Sequence, residues 1–212
     1  EELLEHFKSG KMTKRDFENF LQDADESPHM TLANLERASN LIRSFKQVAV
    51  DHSSEEKRRI NLTDYINEVL TSLAPKLKQS QHNITVNGDT AIYFESFPGA
   101  ISQVITNLVI NSLTHAYAPG DTGRITINIT REDACAVLKY SDDGKGMGPE
   151  TVAKIFDPFF TTKRGQGGSG LGMHILYNLV TQSLGGTVTC SSEPGQGAEF
   201  TITLPLKNGE AP

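Results

Sequence analysis

Asn107 and Asn111 stand one helical turn apart inside SQVITNLVINSLTHAY, where Ile101, Val104, Ile105 and Leu108 recur at helical spacing. Gln103, Asn107 and Asn111 follow each other every four residues and so share one stripe of that helix. Asparagine is a mediocre helix former that prefers caps. Two in mid-helix, beside an apolar face that must be buried, need something to hold. Three further segments follow in order: SDDGKGMG, IFDPFFTTK and GQGGSGLGM.

Each segment brings its own chemistry. Amide oxygens are hard, uncharged ligands suited to a Mg²⁺ ion that also holds phosphate oxygens and water. Asp142 falls where a strand pattern ends and the chain turns through Gly144, Gly146 and Gly148. A carboxylate there accepts the amino hydrogen of adenine, whereas guanine presents a carbonyl at that place. The glycines allow positive φ and let a flat base approach the backbone. From Lys163 onward, Gly165, Gly167, Gly168, Gly170 and Gly172 lead into a helix. Glycines at a helix N-terminus expose N–H groups to phosphate, and Lys163 and Ser169 add donors. No GK[ST] follows, so this is not a P-loop. Its length and glycine content predict a mobile lid that orders on nucleotide. Phe156, Phe159 and Phe160 surround Pro158 just before it; core packing and contact with the lid or a catalytic partner are both open to them. Taken alone, the asparagines could serve helix–sheet hydrogen bonds, and DDGKG could be an ordinary strand turn. In this order the segments describe an ATP site.

The remaining text predicts an α+β fold, a two-layer α/β sandwich with an antiparallel-rich sheet, preceded by a helical hairpin segment. Residues 1–57 are helical in pattern, with Gly10 as a helix stop, Thr13 as an N-cap and Pro28 as a break or kink. Leu32, Leu35, Ala38, Leu41, Ile42, Phe45 and Val48 form a stripe wide enough to need a partner helix. HSSEEKRRI reads as a hinge, after which residues 58–212 form the second domain. Thr63 is the expected cap of a helix with Ile66, Val69, Leu70, Leu73 and Leu77 inward. ITVNG, AIYFES, ITINIT, AVLKYS, GTVTCSS and AEFTITLP read as strands, and Leu171 to Leu184 as helix.

The formal charge of −6 speaks against a nucleic-acid partner. No apolar run nears the roughly 20 residues a membrane helix needs, so no membrane contact is expected from this stretch. Cys135 and Cys190 lack metal-ligand spacing and read as buried thiols of a reducing, cytoplasmic compartment. The abrupt helical opening, EELLEHFKSG, reads as a piece of something longer, whose intact form could be anchored in the inner membrane.

The four segments resemble the N, G1, F and G2 boxes of the sensor histidine kinases, within the superfamily that includes type II topoisomerases, Hsp90 and MutL. The resemblance covers roughly residues 61–206 and implies the Bergerat fold with ATP and Mg²⁺ in its cleft. By it, Asn111 is the Mg²⁺ ligand and Asn107 its helper and a possible second ligand. The implied catalytic residues are Asn107, His115 and Lys163, His115 standing where the family places His or Tyr near the phosphates. The implied ATP contacts are Asn107, Asn111, Asp142, Gly144, Gly146, Met147, Phe160, Gly168, Ser169, Gly170, Leu171 and Gly172. Thr114 stands where many members carry Lys. ATP-hydrolysing relatives carry Glu at the place of Asn107, and an amide cannot take a proton from water. Transfer to a protein nucleophile is therefore favoured over hydrolysis.

ANLERASNLIRSFKQVAVD is similar to the second helix of the kinases' dimerisation hairpin. This implies a homodimer through that hairpin and a response-regulator receiver domain as partner. The acceptor histidine, followed by an acidic residue and then proline, is matched by none of His6, His29, His52, His82, His115 and His174. Self-phosphorylation is not expected. A serine kinase of the same superfamily and an ATP-gated interaction module remain as other readings.

Overall fold

The computed structural model describes residues 7–10, 13–49, 56–80, 82–88, 92–163 and 169–206. The chain divides into two compact units, Glu1–Arg43 and Ser44–Pro212. Gly10 takes φ +68° and its N–H returns to Phe7 O, the helix stop that its sequence position predicts. The next helix, α1 (Lys14–Ala49), opens on Thr13. Thr13 Oγ accepts from Asp16 N, and Thr13 N donates back to the Asp16 carboxylate at 2.9 Å, a reciprocal cap. Pro28 does not break α1, which runs on through it. The ring removes one backbone donor, and 36 residues of continuous helix absorb that loss. Phe17, Phe20, Leu21, Leu32 and Leu35 on α1 are exposed, while the side chains of Ala38 to Val48 lie outside the described residues.

In the second unit, β1 (Arg58–Asn61) pairs antiparallel with β3 (Tyr93–Ser96) as a two-stranded ribbon. The end of the expected hinge is thus a strand, and its first part lies outside the described residues. Helix α2 (Leu62–Ser72) is capped by Asn61, whose side chain accepts from Asp64 N at 3.1 Å. Thr63, the expected cap, lies inside the helix and is buried. A short α3 (Ala74–Ser80) follows. The main sheet has order β2-β4-β5-β7-β6, with β2 (Asn83–Gly88), β4 (Arg124–Glu132), β5 (Cys135–Asp142), β6 (Thr187–Ser192) and β7 (Ala198–Pro205). The β2/β4 pair is parallel and the others antiparallel.

Alternation makes the layers. Ile125, Ile127 and Ile129 of β4, and Phe200, Ile202 and Leu204 of β7, are buried on one face. Against it lie Ile66 and Val69 of α2, Ile101, Val104, Ile105 and Leu108 of α4 (Pro98–Asn111), and Ile175 and Leu176 of α6 (Gly172–Asn178). Each such side chain contributes about 1.5–3 kcal/mol. α4 and α6 each continue into a wider π turn, Ser112–Ala116 and Leu179–Ser183. Between β5 and α6 a short helix, α5 (Pro149–Lys154), joins the glycine turn to the phenylalanine segment. Cys135 and Cys190 are free thiols on β5 and β6, half-buried rather than buried. Among the described residues no helix is long and apolar enough to cross a membrane.

Candidate functional site

α4 starts at Pro98, pre-set for the first helical position, and buries the apolar face its spacing predicts. Its amide stripe does two different jobs. Gln103 Nε2 donates to Asn107 Oδ1 at 2.9 Å, and Asn107 Nδ2 donates to Gly172 O at 3.0 Å, which ties α4 to the start of α6. The side chain of Asn111, one turn on, lines a cavity of about 360 Å³ and makes no hydrogen bond among the described residues. The π turn then carries Ser112, His115 and Ala116 across the end of β5, where Lys145 N donates to Ala116 O at 2.9 Å.

Asp142 closes β5 and is 7% exposed at the cavity wall. Ser112 Oγ donates to Asp142 Oδ2 at 2.7 Å, and Gly144 N donates to Oδ1 at 3.1 Å. Burial pushes this carboxyl above its ordinary range; hydrogen bonds from Ser112, Gly144 and Ala198 oppose the rise, and Asp143 adds to it. The fully buried Tyr140 holds Ser112 from behind, its hydroxyl 2.9 Å from Ser112 Oγ and 3.2 Å from Leu108 O.

The glycine turn differs from expectation in detail. Of its three glycines only Gly146 has positive φ, +66°, and a Cβ there would lie 1.9 Å from Glu193 O. Gly148 is extended at φ −76°. The close approach is of backbone to backbone: Gly195 N donates to Lys145 O, and Met147 N to Ser192 Oγ, sewing the turn to the β6–β7 hairpin. Gly146 and Met147 line the cavity, and Gly144 serves Asp142 from beside it.

The three phenylalanines separate. Phe156 packs between Tyr177 and Phe200, with ring centroids 5.4 and 6.5 Å away. Phe160 lines the cavity, and Phe159 is 58% exposed at φ +65°. Gly170, at φ +68°, lies so close to this segment that a Cβ would stand 2.5 Å from Phe159 C. Ser169, Gly170 and Gly172 line the cavity. Leu171 does not; it is buried in the core, where it anchors the start of α6. Gly165, Gly167 and Gly168 lie outside the described residues.

Lys163 does not line the cavity either: its Nζ donates to Thr114 O, which places an ammonium beside the end of the asparagine helix. His115 does line it, with Nδ1 3.2 Å from Thr162 Oγ. Burial, then the charges of Lys163 and Lys145, hold its imidazole below the ordinary histidine range, hence neutral near pH 7. Sequence reasoning missed Ser112, Tyr140, Lys145, Thr161 and Thr162. The phase of β5 could have pointed to Tyr140, two residues before Asp142 and therefore on the same face.

Among the described residues no three His, Cys, Asp or Glu side chains cluster to hold a metal. A cation brought by phosphate oxygens needs no such cluster, and one neutral amide can serve as its protein ligand. Asn111 fits that part; Asn107 has its oxygen engaged by Gln103.

Residues 98–208 match the family described as "Histidine kinase-, DNA gyrase B-, and HSP90-like ATPase". The sensor histidine kinase ZraS of Escherichia coli O157:H7 is 34% identical over 149 residues, which cover 69% of this chain and 31% of ZraS. The sensor histidine kinase RcsC of Escherichia coli K12 is 26% identical over 177 residues, 81% of this chain and 18% of RcsC. This chain thus spans less than a third of either relative. Among solved structures, the catalytic domain of the histidine kinase ThkA superposes with a TM-score of 0.63 at 28% identity, covering 71% of this chain and 96% of that domain. Its α/β sandwich is the Bergerat fold. The chain belongs to the histidine kinase-, DNA gyrase B-, and HSP90-like ATPase family, on its histidine kinase branch, and carries that family's ATP-binding domain.

Proposed function

We propose that this chain is the ATP-binding catalytic part of a two-component sensor histidine kinase. It would transfer the γ-phosphoryl group of ATP to a histidine on a helix supplied by another segment, for relay to an aspartate of a response-regulator receiver domain. The observation that carries this reading is Asn107. The cavity presents an amide tied to Gly172 where hydrolysing relatives place a proton-accepting carboxylate. Water then lacks a base, and the phosphoryl group waits for a protein nucleophile.

In this reading Asp142 accepts the adenine amino group, and Asn111 holds the Mg²⁺ that neutralises phosphate charge. Ser169, Gly170 and Lys145 lie along the same cavity as donors to the phosphates, beside the neutral His115. Lys163 and Asn107 position the helix rather than touch substrate. A structure of ThkA was solved with the response regulator TrrA, which supports a receiver domain as partner. The exposed apolar residues of α1 support association with a second copy through the helical hairpin. A cytoplasmic location follows from the need for ATP.

Transfer of label from γ-labelled ATP with Mg²⁺ tests this, using the chain mixed with a protein that carries an acceptor helix and its histidine. Label stable to base and labile to acid is expected. Free phosphate alone would mean an ATPase, and nucleotide held without turnover an ATP-gated binding module.

A further inference from the structure

Asp142 is one end of a chain of hydroxyls that nucleotide binding as such does not require. Its Oδ2 takes the Ser112 proton at 2.7 Å, and Ser112 Oγ in turn lies 2.9 Å from Tyr140 OH. Tyr140 OH also reaches Leu108 O, on the last turn of α4 before the π turn begins. Ser112 and Tyr140 are 1% and 0% exposed, so no bulk water competes for these protons.

The proton count leaves little freedom. Ser112 has one proton, and a carboxylate at 2.7 Å is a stronger acceptor than a phenol. Tyr140 has one proton, for Ser112 or for Leu108 O. In either arrangement Asp142 receives a proton and offers none. The Gly144 N–H, at 3.1 Å from Oδ1, and the Ala198 N–H fill further places on the carboxylate, and both are donors too, so the acceptor capacity left over is what the cavity wall can offer a ligand.

We propose that Ser112 and Tyr140 are specificity-determining positioning residues, which fix the Asp142 carboxylate as an acceptor aimed at the 6-position of a purine. A 6-amino group is then bound, and a 6-oxo group meets an acceptor with no proton to give. This rests on the reading that Asp142 contacts the base, and the experiment separates the two. A buried residue with a purely structural part would, when changed, weaken every nucleotide alike.

Affinities for ATP and for purine riboside triphosphate, which has hydrogen at the 6-position, are measured with Mg²⁺ on the full chain. The unmodified chain is expected to favour ATP by about tenfold or more. Ser112→Ala should cut that ratio by about fivefold, with the loss falling on ATP and purine riboside triphosphate held within about twofold. Ser112→Cys, a weak donor of the same shape, should fall between. Tyr140→Phe keeps the ring packing and should lower the ratio by about twofold to threefold; it carries the test if Ser112→Ala does not fold. Equal loss on both nucleotides, or a ratio unchanged in Tyr140→Phe and Ser112→Ala, overturns the proposal while leaving the Asp142 contact standing. No preference in the unmodified chain overturns the Asp142 contact and the proposal together.

Discussion

At the scale of single residues the site holds a charge where burial opposes it. Asp142 has its folded-state pKa raised above the ordinary 3.8, chiefly by burial, so the folded chain binds that proton more tightly than the unfolded one. Stability linked to this group is fully present below the ordinary value and is lost as pH rises through the folded one. Asp142→Asn escapes that loss, because its amide can accept from Gly144 and donate to Ser112. The nucleotide-free variant is expected to melt above the parent at neutral pH, with the gap closing as pH falls toward the carboxylate range. Calorimetry across that range checks it, and a variant that melts lower at neutral pH contradicts it. The two asparagines should part company in the same assay. Asn107→Ala removes the bond from Gln103 and the bond to the Gly172 carbonyl and should cost about 1–3 kcal/mol. Asn111→Ala breaks no hydrogen bond among the described residues. It should keep its melting temperature and lose the Mg²⁺-dependent part of ATP binding. Equal melting losses would mean that Asn111 is structural too.

At the scale of elements, what could be read in advance was whatever had a long period. The asparagine helix, β4, β5, β7 and α6 all carry runs of apolar residues at one spacing, and each was legible to within a residue or two once the π turns that end both helices are counted with them. The short strands β2, β3 and β6 were legible too, but two other short pieces were not. β1 is RRIN, two charged residues and two others that become strand by pairing Ile60 with Phe94 and Arg59 with Glu95, far along the chain, which no local pattern shows. α5 is six residues long with no buried side chain, so it has no periodic face to read. The cap of α2 fell to Asn61 because β1 delivers the chain two residues earlier than the apolar pattern suggests. In the site, motif order located the glycine turn but not which glycine does what. Gly146→Ala must leave a left-handed backbone and displace Glu193 O, and should cost about 2 kcal/mol or more. Gly148 has open space and an ordinary φ, so Gly148→Ala should stay within about 0.5 kcal/mol. Denaturant midpoints of the two variants decide it; a matching loss at Gly148 would contradict the assignment of the strained position to Gly146.

At the scale of the whole molecule, the described residues that line the cavity fall between Asn107 and Ala198, all within the unit Ser44–Pro212. Every strand and every core helix of the sandwich lies in that unit too. The first unit offers a helix with Phe17, Phe20, Leu21, Leu32 and Leu35 exposed, an apolar surface that asks for a partner, and none of its described residues lines the cavity. Binding and transfer should therefore separate physically. A chain beginning at Glu56 is expected to unfold in one cooperative transition and to bind ATP with Mg²⁺ within about twofold of the longer chain. It should lose transfer to an acceptor helix supplied in trans, because bringing γ-phosphate and histidine together is then left to chance encounter. Titration calorimetry and the labelled-ATP assay, run on both lengths, measure the two effects independently. A large drop in affinity on shortening would mean that the helical unit helps build the nucleotide site; transfer that survives shortening would mean that the sandwich alone recognises the acceptor.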